Sequence, residues 1–177
     1  MKKSLLAVAI MAVGVLSATT AIAGDGQINF IGTITDEACT VVNNLSNPLT
    51  VTLGTVKRTA LDGGAGKTAA PTNFIIKLTD CPAALDGHTA QVKFDGTSAI
   101  GDNTALKLTQ DPGVATGVGI QLTDAQNKIV PLYTASSAYN LTTGENNLNF
   151  VARYVSVADT VTAGPANSTS QFTIIYN

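Results

Sequence analysis

The sequence contains few histidine, aromatic and charged side chains. Tryptophan is absent, aromatic residues make up 5% of the 177 residues, and His88 is the only histidine. Charged residues account for 12%, and twelve acidic side chains outnumber ten basic ones. Because proteins that bind nucleic acid carry clustered basic residues, this composition predicts no nucleic-acid partner.

Catalytic and metal-binding patterns are also missing. His88 lies in the sequence Asp86-Gly87-His88-Thr89, which is typical of a turn leading into a strand. Neither a GxSxG nor an HExxH motif accompanies it. The glycine-rich stretch Asp62–Lys67 lacks the spacing of a phosphate-binding loop. We therefore predict no enzyme activity, no catalytic residue, no metal site and no cofactor.

The beginning of the chain has the pattern of a secretory signal peptide. Lys2 and Lys3 precede an apolar run from Leu5 to Leu16, and small residues follow at Ala21 and Ala23. The run is shorter than the roughly 20 residues that a membrane-spanning helix needs. We expect cleavage after Ala23, which removes both lysines and leaves eight basic residues against twelve acidic ones.

The two cysteines, Cys39 and Cys81, both lie in the exported part of the chain. An exported protein with only two cysteines most simply joins them in one disulfide. Closing the loop between them contributes roughly 4 kcal/mol in the chain-entropy model. A redox or metal pair is disfavoured, because the cysteines lack CxxC spacing and His88 offers the only imidazole.

Short runs of alternating apolar and polar residues, bounded by Gly, Pro, Asn and Asp, indicate an all-β fold. No segment carries the apolar stripe of an amphipathic helix. The number and spacing of the runs predict a β-sandwich of immunoglobulin type. The predicted strands are residues 26–34, 49–53, 74–78, 90–94, 105–108, 119–122, 129–130, 147–155 and 171–176.

The first of these runs, within residues 24–36, precedes the first cysteine. One of its faces presents Gly26, Ile28, Phe30, Gly32 and Ile34. Such a strand needs a sheet that completes its backbone hydrogen bonds and buries its apolar face. That sheet could belong to its own domain or to another chain that accepts the strand at an edge. The alternation does not choose between these.

Several motifs occur in a fixed order along the exported chain. They are Gly26–Ile34 followed by Ala38-Cys39, then Asp80-Cys81-Pro82, Phe150-Val151-Ala152-Arg153-Tyr154, Gly164-Pro165, and a penultimate Tyr176. In this order and spacing, the chain resembles the type 1 fimbrial subunits, or pilins, of the chaperone–usher pathway. The resemblance covers essentially the whole mature chain. It favours a major shaft subunit over a minor adaptor, which stays open as an alternative.

The resemblance implies an incomplete immunoglobulin-like sandwich that lacks its last strand. Residues 1–23 would be the signal peptide, 24–36 an N-terminal donor-strand extension and 37–177 the pilin domain. Gly26, Ile28, Phe30, Gly32 and Ile34 would form the donor face, with the three large side chains as plugs. Gly164, Phe172, Ile174 and Tyr176 would belong to the acceptor groove or contact a chaperone.

The resemblance further implies the partners and the location. A periplasmic chaperone would fill the groove first, and an outer-membrane usher would then exchange it for the extension of a neighbouring subunit. The product would be a homopolymeric fimbria on the cell surface that supports adhesion. A tip adhesin is disfavoured, because 154 mature residues leave no room for an added lectin domain. A free-standing secreted β-sandwich, such as a small lectin or inhibitor, stays open as the alternative.

Overall fold

The computed structural model describes residues 26–32, 34 and 37–177. The predicted signal peptide, residues 1–23, lies outside the described residues. The chain divides into an N-terminal unit, Met1–Ile34, and a larger unit, Thr35–Asn177. In the N-terminal unit, the described residues 26–32 and 34 belong to no strand or helix and are exposed.

The larger unit is a β-sandwich, as its sequence predicts. Its first sheet contains four strands in the order β1-β2-β6-β4, and its second contains three in the order β5-β3-β7; every pairing is antiparallel. The only helical elements among the described residues are two short 3₁₀ turns, Arg58–Ala60 and Ala83–Leu85. No helix in the described part of the chain is long and apolar enough to cross a membrane. The strands are β1 Thr40–Val41, β2 Thr68–Cys81, β3 Thr89–Asp95, β4 Val118–Asp124, β5 Tyr139–Asn140, β6 Gly144–Ser156 and β7 Gln171–Tyr176.

The core lies between the two sheets and follows the alternation of the sequence. Along β3, Ala90, Val92 and Phe94 are buried, whereas the residues between them are half-buried on the other face. Four phenylalanines join the two layers, with ring centroids 5.1–6.5 Å apart along the chain of contacts. They are Phe74 and Phe150 in the first sheet and Phe94 and Phe172 in the second.

β2 is much longer than the run predicted for it, residues 74–78. It begins at Thr68 and crosses Pro71, which sequence rules place outside a central strand. The register shifts between Ala69 and Thr72, so Pro71 lies in a bulge where the ladder needs no N–H donor. A second shift before Cys81 leaves Asp80 with a positive φ of 53°.

Four predicted strands do not form as such. The first, 26–34, forms no strand at its described residues. Residues 105–108 and 129–130 make only isolated bridges, from Leu106 to Ser98 and Ile120 and from Ile129 to Thr123. Residues 49–53 have no strand partner among the described residues. The short strands β1 and β5, by contrast, were not predicted, since two residues are too few to show an alternation.

Candidate functional site

A long groove of about 1240 Å³ opens along one side of the larger unit, between the edges of the two sheets. One border consists of β7 and the preceding residues 166–170, and the other consists of residues 48–55. The floor is the exposed side of the core. Its apolar residues are Phe74, Ile76, Phe94, Leu106, Ile120, Leu122, Ala152 and Tyr154.

β7 presents unpaired backbone groups to this groove. It is the edge strand of its sheet and pairs only with β3. Thr89 and Asn177 exchange both backbone hydrogen bonds, at 2.9 and 3.0 Å. Since such pairs alternate along an antiparallel ladder, the next residues that bond to β3 are Ile175, Thr173 and Gln171. The N–H and C=O groups of Phe172, Ile174 and Tyr176 therefore point to the free edge.

The opposite border also lacks a partner. Residues 48–56 make no backbone hydrogen bond to another described residue. Val51, Leu53 and Val56 are nevertheless half-buried and pack on the core. Thr52, Gly54 and Thr55 stay exposed. The segment thus has the alternating burial of a strand without a ladder, which explains why its sequence predicts one.

One end of the groove is closed by residues near the disulfide. Cys39 and Cys81 are bonded, as predicted, with their Cα atoms 4.2 Å apart. The backbone N–H of Cys39 donates to the phenol oxygen of Tyr176 at 3.2 Å. This contact ties the first sheet to the end of β7. Burial raises the pKa of the Tyr176 phenol, which stays a neutral hydrogen-bonding group at physiological pH.

The predicted acceptor residues divide into two groups. Phe172, Ile174 and Tyr176 line the groove together, half-buried, along the inner side of β7. Gly164 does not line it. A Cβ at Gly164 would come within 2.1 Å of the Gly113 carbonyl oxygen and 2.6 Å of the Ala115 nitrogen. Gly164 therefore packs closely against the backbone of residues 113–115, beside the groove.

The predicted donor residues lie in the N-terminal unit and present their side chains to solvent. Ile28, Phe30 and Ile34 are 77%, 91% and 100% exposed. A Cβ at Gly26 or Gly32 would meet no atom within 4 Å. Three large apolar side chains at alternate positions of an exposed segment are a surface that water disfavours.

Sequence reasoning missed the second border and the floor of the groove as site residues. The alternation of residues 49–53 was recognised, but a periodicity does not tell which edge of a strand is left open. Floor residues such as Phe74 and Phe94 look like any core residues in the sequence, because their apolar character serves the core and the groove alike.

The groove surface carries no acidic, basic or imidazole side chain among the residues that line it. His88 lies elsewhere on the surface, where its Nδ1 is 3.2 Å from the backbone oxygen of Asn177. An uncharged apolar floor between two unpaired strand edges fits an extended apolar peptide. Its backbone would bond to the borders, and alternate side chains would enter the floor.

Comparisons with known proteins, in sequence and in structure, all point to one family. A family model described as "Fimbrial protein" matches residues 28–177. The chain is 36% identical to the long polar fimbria protein A of Salmonella typhimurium, over 99% of this chain and 97% of that protein. It is 38% identical to the type-1 fimbrial protein, C chain, of Escherichia coli, over 90% and 87% of the two chains.

Among solved structures, a subunit of a chaperone–usher pilus superposes with a TM-score of 0.66 at 25% identity, covering 90% of this chain and all of that one. The matches in sequence and in fold span nearly the entire described domain. The chain therefore belongs to the fimbrial protein family and is a structural subunit of a surface fimbria.

Proposed function

We propose that residues 24–36 of one subunit act as a donor strand that occupies the groove of the next subunit. The observation that carries this proposal is the pair of unpaired edges on either side of an apolar floor. The edge at Phe172, Ile174 and Tyr176 offers three backbone N–H and three C=O groups. A strand laid between the borders would satisfy these groups and complete the sandwich.

The apolar side chains of the donor segment supply the driving force. Burying a large apolar side chain contributes about 1.5–3 kcal/mol, so Ile28, Phe30 and Ile34 together contribute about 5–9 kcal/mol. Ordering the strand and joining two molecules offset part of this gain. Gly26 and Gly32 lie on the same face and would enter the groove without a side chain.

The resulting interface is head-to-tail, because the donor segment and the groove are different surfaces of one chain. A heterologous contact of this kind repeats without closing and produces a filament. A subunit that both donates and accepts a strand suits the repeated shaft of a fimbria. In this arrangement residues 1–23 are removed on export, 24–36 form the extension and 37–177 form the pilin domain.

Before assembly, the open groove needs a temporary occupant. An unpaired strand edge beside an apolar slot is prone to aggregate with other edges. A periplasmic chaperone that inserts a strand of its own would prevent this, and an outer-membrane usher would direct the exchange for the next subunit. The route to the cell surface therefore runs through the periplasm.

The alternative hypothesis of a free-standing β-sandwich is not favoured by the family to which the chain belongs. Deleting residues 24–36 tests the two hypotheses directly. We expect the shortened chain to capture a synthetic 24–36 peptide but, since it has no extension to donate, not to enter the groove of another subunit or extend a fibre. Unfolding of the shortened chain in the presence of the peptide would support a strand that stays in its own domain and would refute the proposal.

A matched pair of substitutions tests the donor face. Phe30→Asp places a charge on the face that enters the groove, whereas Gln27→Asp places the same charge on the opposite face. We expect Phe30→Asp to abolish fibres in electron micrographs and Gln27→Asp to leave them. Equal fibre yields from the two variants would contradict the assignment of the plugs.

A further inference from the structure

The two ends of the groove differ in how much room they leave for an incoming chain. At the disulfide end, Ala38 and Cys39 line the groove, and the hydrogen bond from Cys39 to Tyr176 joins them to the end of β7. The subunit's own chain therefore fills that end. At the other end, which we call the exit and which Thr55 and residues 166–170 line, no hydrogen bond between described residues joins the borders.

The position of the incoming domain fixes the direction of its strand. Only residues 35–38 separate Ile34 from Cys39, where the folded domain begins. The incoming domain must therefore lie just outside the groove, and we place it at the exit, because the subunit's own chain fills the other end. The donor strand then runs from the disulfide end to the exit, antiparallel to β7. Antiparallel pairing is also slightly the more stable arrangement.

Two exposed lysines lie beside the exit, one next to each border. Lys57 lies two residues after the border residue Thr55. Lys107 contacts the other border, where Ser168 Oγ donates a hydrogen bond to the Lys107 carbonyl oxygen at 2.7 Å. Neither ammonium group forms an ion pair within the described part of the chain. Asp95, the partner of Gln171 in the β3–β7 ladder, is half-buried and offsets part of this positive charge.

The donor segment is followed directly by two acidic residues, Asp36 and Glu37. At about 3.3 Å per residue, an extended chain places them about 7–10 Å beyond Ile34. With Ile34 as the last plug, both carboxylates reach the exit. We propose that Asp36 and Glu37 of the incoming copy pair with Lys57 and Lys107 of the accepting copy and accelerate insertion. This proposal rests on the proposed donor-strand function.

The experiment measures the rate at which the refolded mature chain captures a fluorescent peptide of residues 24–37, by anisotropy, at about 0.01 M and about 1 M salt. A second peptide carries Asp36→Asn and Glu37→Gln, and a third carries lysine at both positions. The accepting chains are the natural one, Lys57→Glu/Lys107→Glu, and the control Lys128→Glu. Lys128 is an exposed lysine that does not line the groove.

Steering by opposite charges speeds association about tenfold or more and vanishes at high salt. We therefore expect the neutral peptide to be captured about three- to tenfold more slowly than the acidic one at low salt and equally fast at high salt. The double lysine variant should reverse the preference in favour of the lysine peptide, and Lys128→Glu should not. Equal rates at low salt, or the same effect from Lys128→Glu, would overturn the proposal. If no peptide is captured at all, the donor-strand function itself fails.

Discussion

At the scale of single residues, Asp124 shows how this domain compensates a buried charge. Its side chain is fully buried and accepts hydrogen bonds from Ser137 Oγ at 2.6 Å, Lys128 N at 2.9 Å and Gln126 N at 3.0 Å. Burial by itself raises the pKa of the Asp124 carboxyl, but these hydrogen bonds outweigh it and hold the pKa below its ordinary value. The carboxylate thereby fixes the turn after β4.

We expect Asp124→Asn to lower the free energy of unfolding by about 1–3 kcal/mol, because a buried donor loses its acceptor. The lowered pKa also makes the contribution of Asp124 pH-dependent. It is complete above the ordinary aspartate pKa of about 3.9 and is lost as the pH falls through the lower value of the folded state. Urea unfolding of the natural chain and of the Asp124→Asn variant, between pH about 6 and about 3, measures this pH dependence of stability.

The natural chain should lose more stability on acidification than the Asp124→Asn variant does. Asp111→Asn, at an exposed position, serves as the matched control and should behave like the natural chain. Parallel pH profiles for the natural chain and Asp124→Asn would contradict this role of the buried carboxylate.

Gly164 offers a second test at this scale, because the structure places it beside the groove and not in it. Alanine there would press a methyl group against the Gly113–Ala115 backbone, which should destabilise the fold by about 1–3 kcal/mol. Gly101→Ala, where a Cβ meets nothing within 4 Å, should change stability little. Folded Gly164→Ala should still capture the 24–36 peptide. Loss of capture at unchanged stability would instead support the predicted groove or chaperone contact.

At the scale of elements, the open edge of β7 is the feature that sequence periodicity could not reveal. The runs at 90–94, 119–122, 147–155 and 171–176 correspond to β3, β4, β6 and β7, because their side chains alternate between core and surface. Residues 49–53 show the same alternation, but in the described part of the single chain they pair with no neighbouring strand. Alternation reports which side chains are buried, whereas a ladder needs a neighbour that the sequence does not name.

The alternation of backbone groups along β7 predicts a pattern of amide hydrogen exchange. Without a donor strand, the amides of Thr173 and Ile175 should be protected by β3, whereas those of Ile174 and Tyr176 should exchange rapidly. Addition of the 24–36 peptide should slow the exchange of Ile174 and Tyr176 by orders of magnitude and leave Thr173 and Ile175 nearly unchanged. Uniform protection along β7 before the peptide is added would rule out a free edge.

At the scale of the whole molecule, the sequence supplied the fold class, the disulfide and one border of the groove. The penultimate Tyr176 and the alternating Phe172 and Ile174 were recognisable because they end the chain in a distinct strand. The second border and the floor depend on how distant segments meet across two sheets. The charges of Lys57 and Lys107 likewise acquire a meaning only when the exit of the groove is known.

The most direct test of donor-strand pairing places a photo-crosslinking benzoylphenylalanine at Phe30 in fibres assembled from mixed light and heavy-isotope subunits. Mass spectrometry then identifies both the residue reached and the chain to which it belongs. We expect crosslinks between light and heavy chains, at groove residues such as Phe74, Phe172 and Ile174. Crosslinks confined to one chain, or located on the outer surface of a neighbour, would contradict the account.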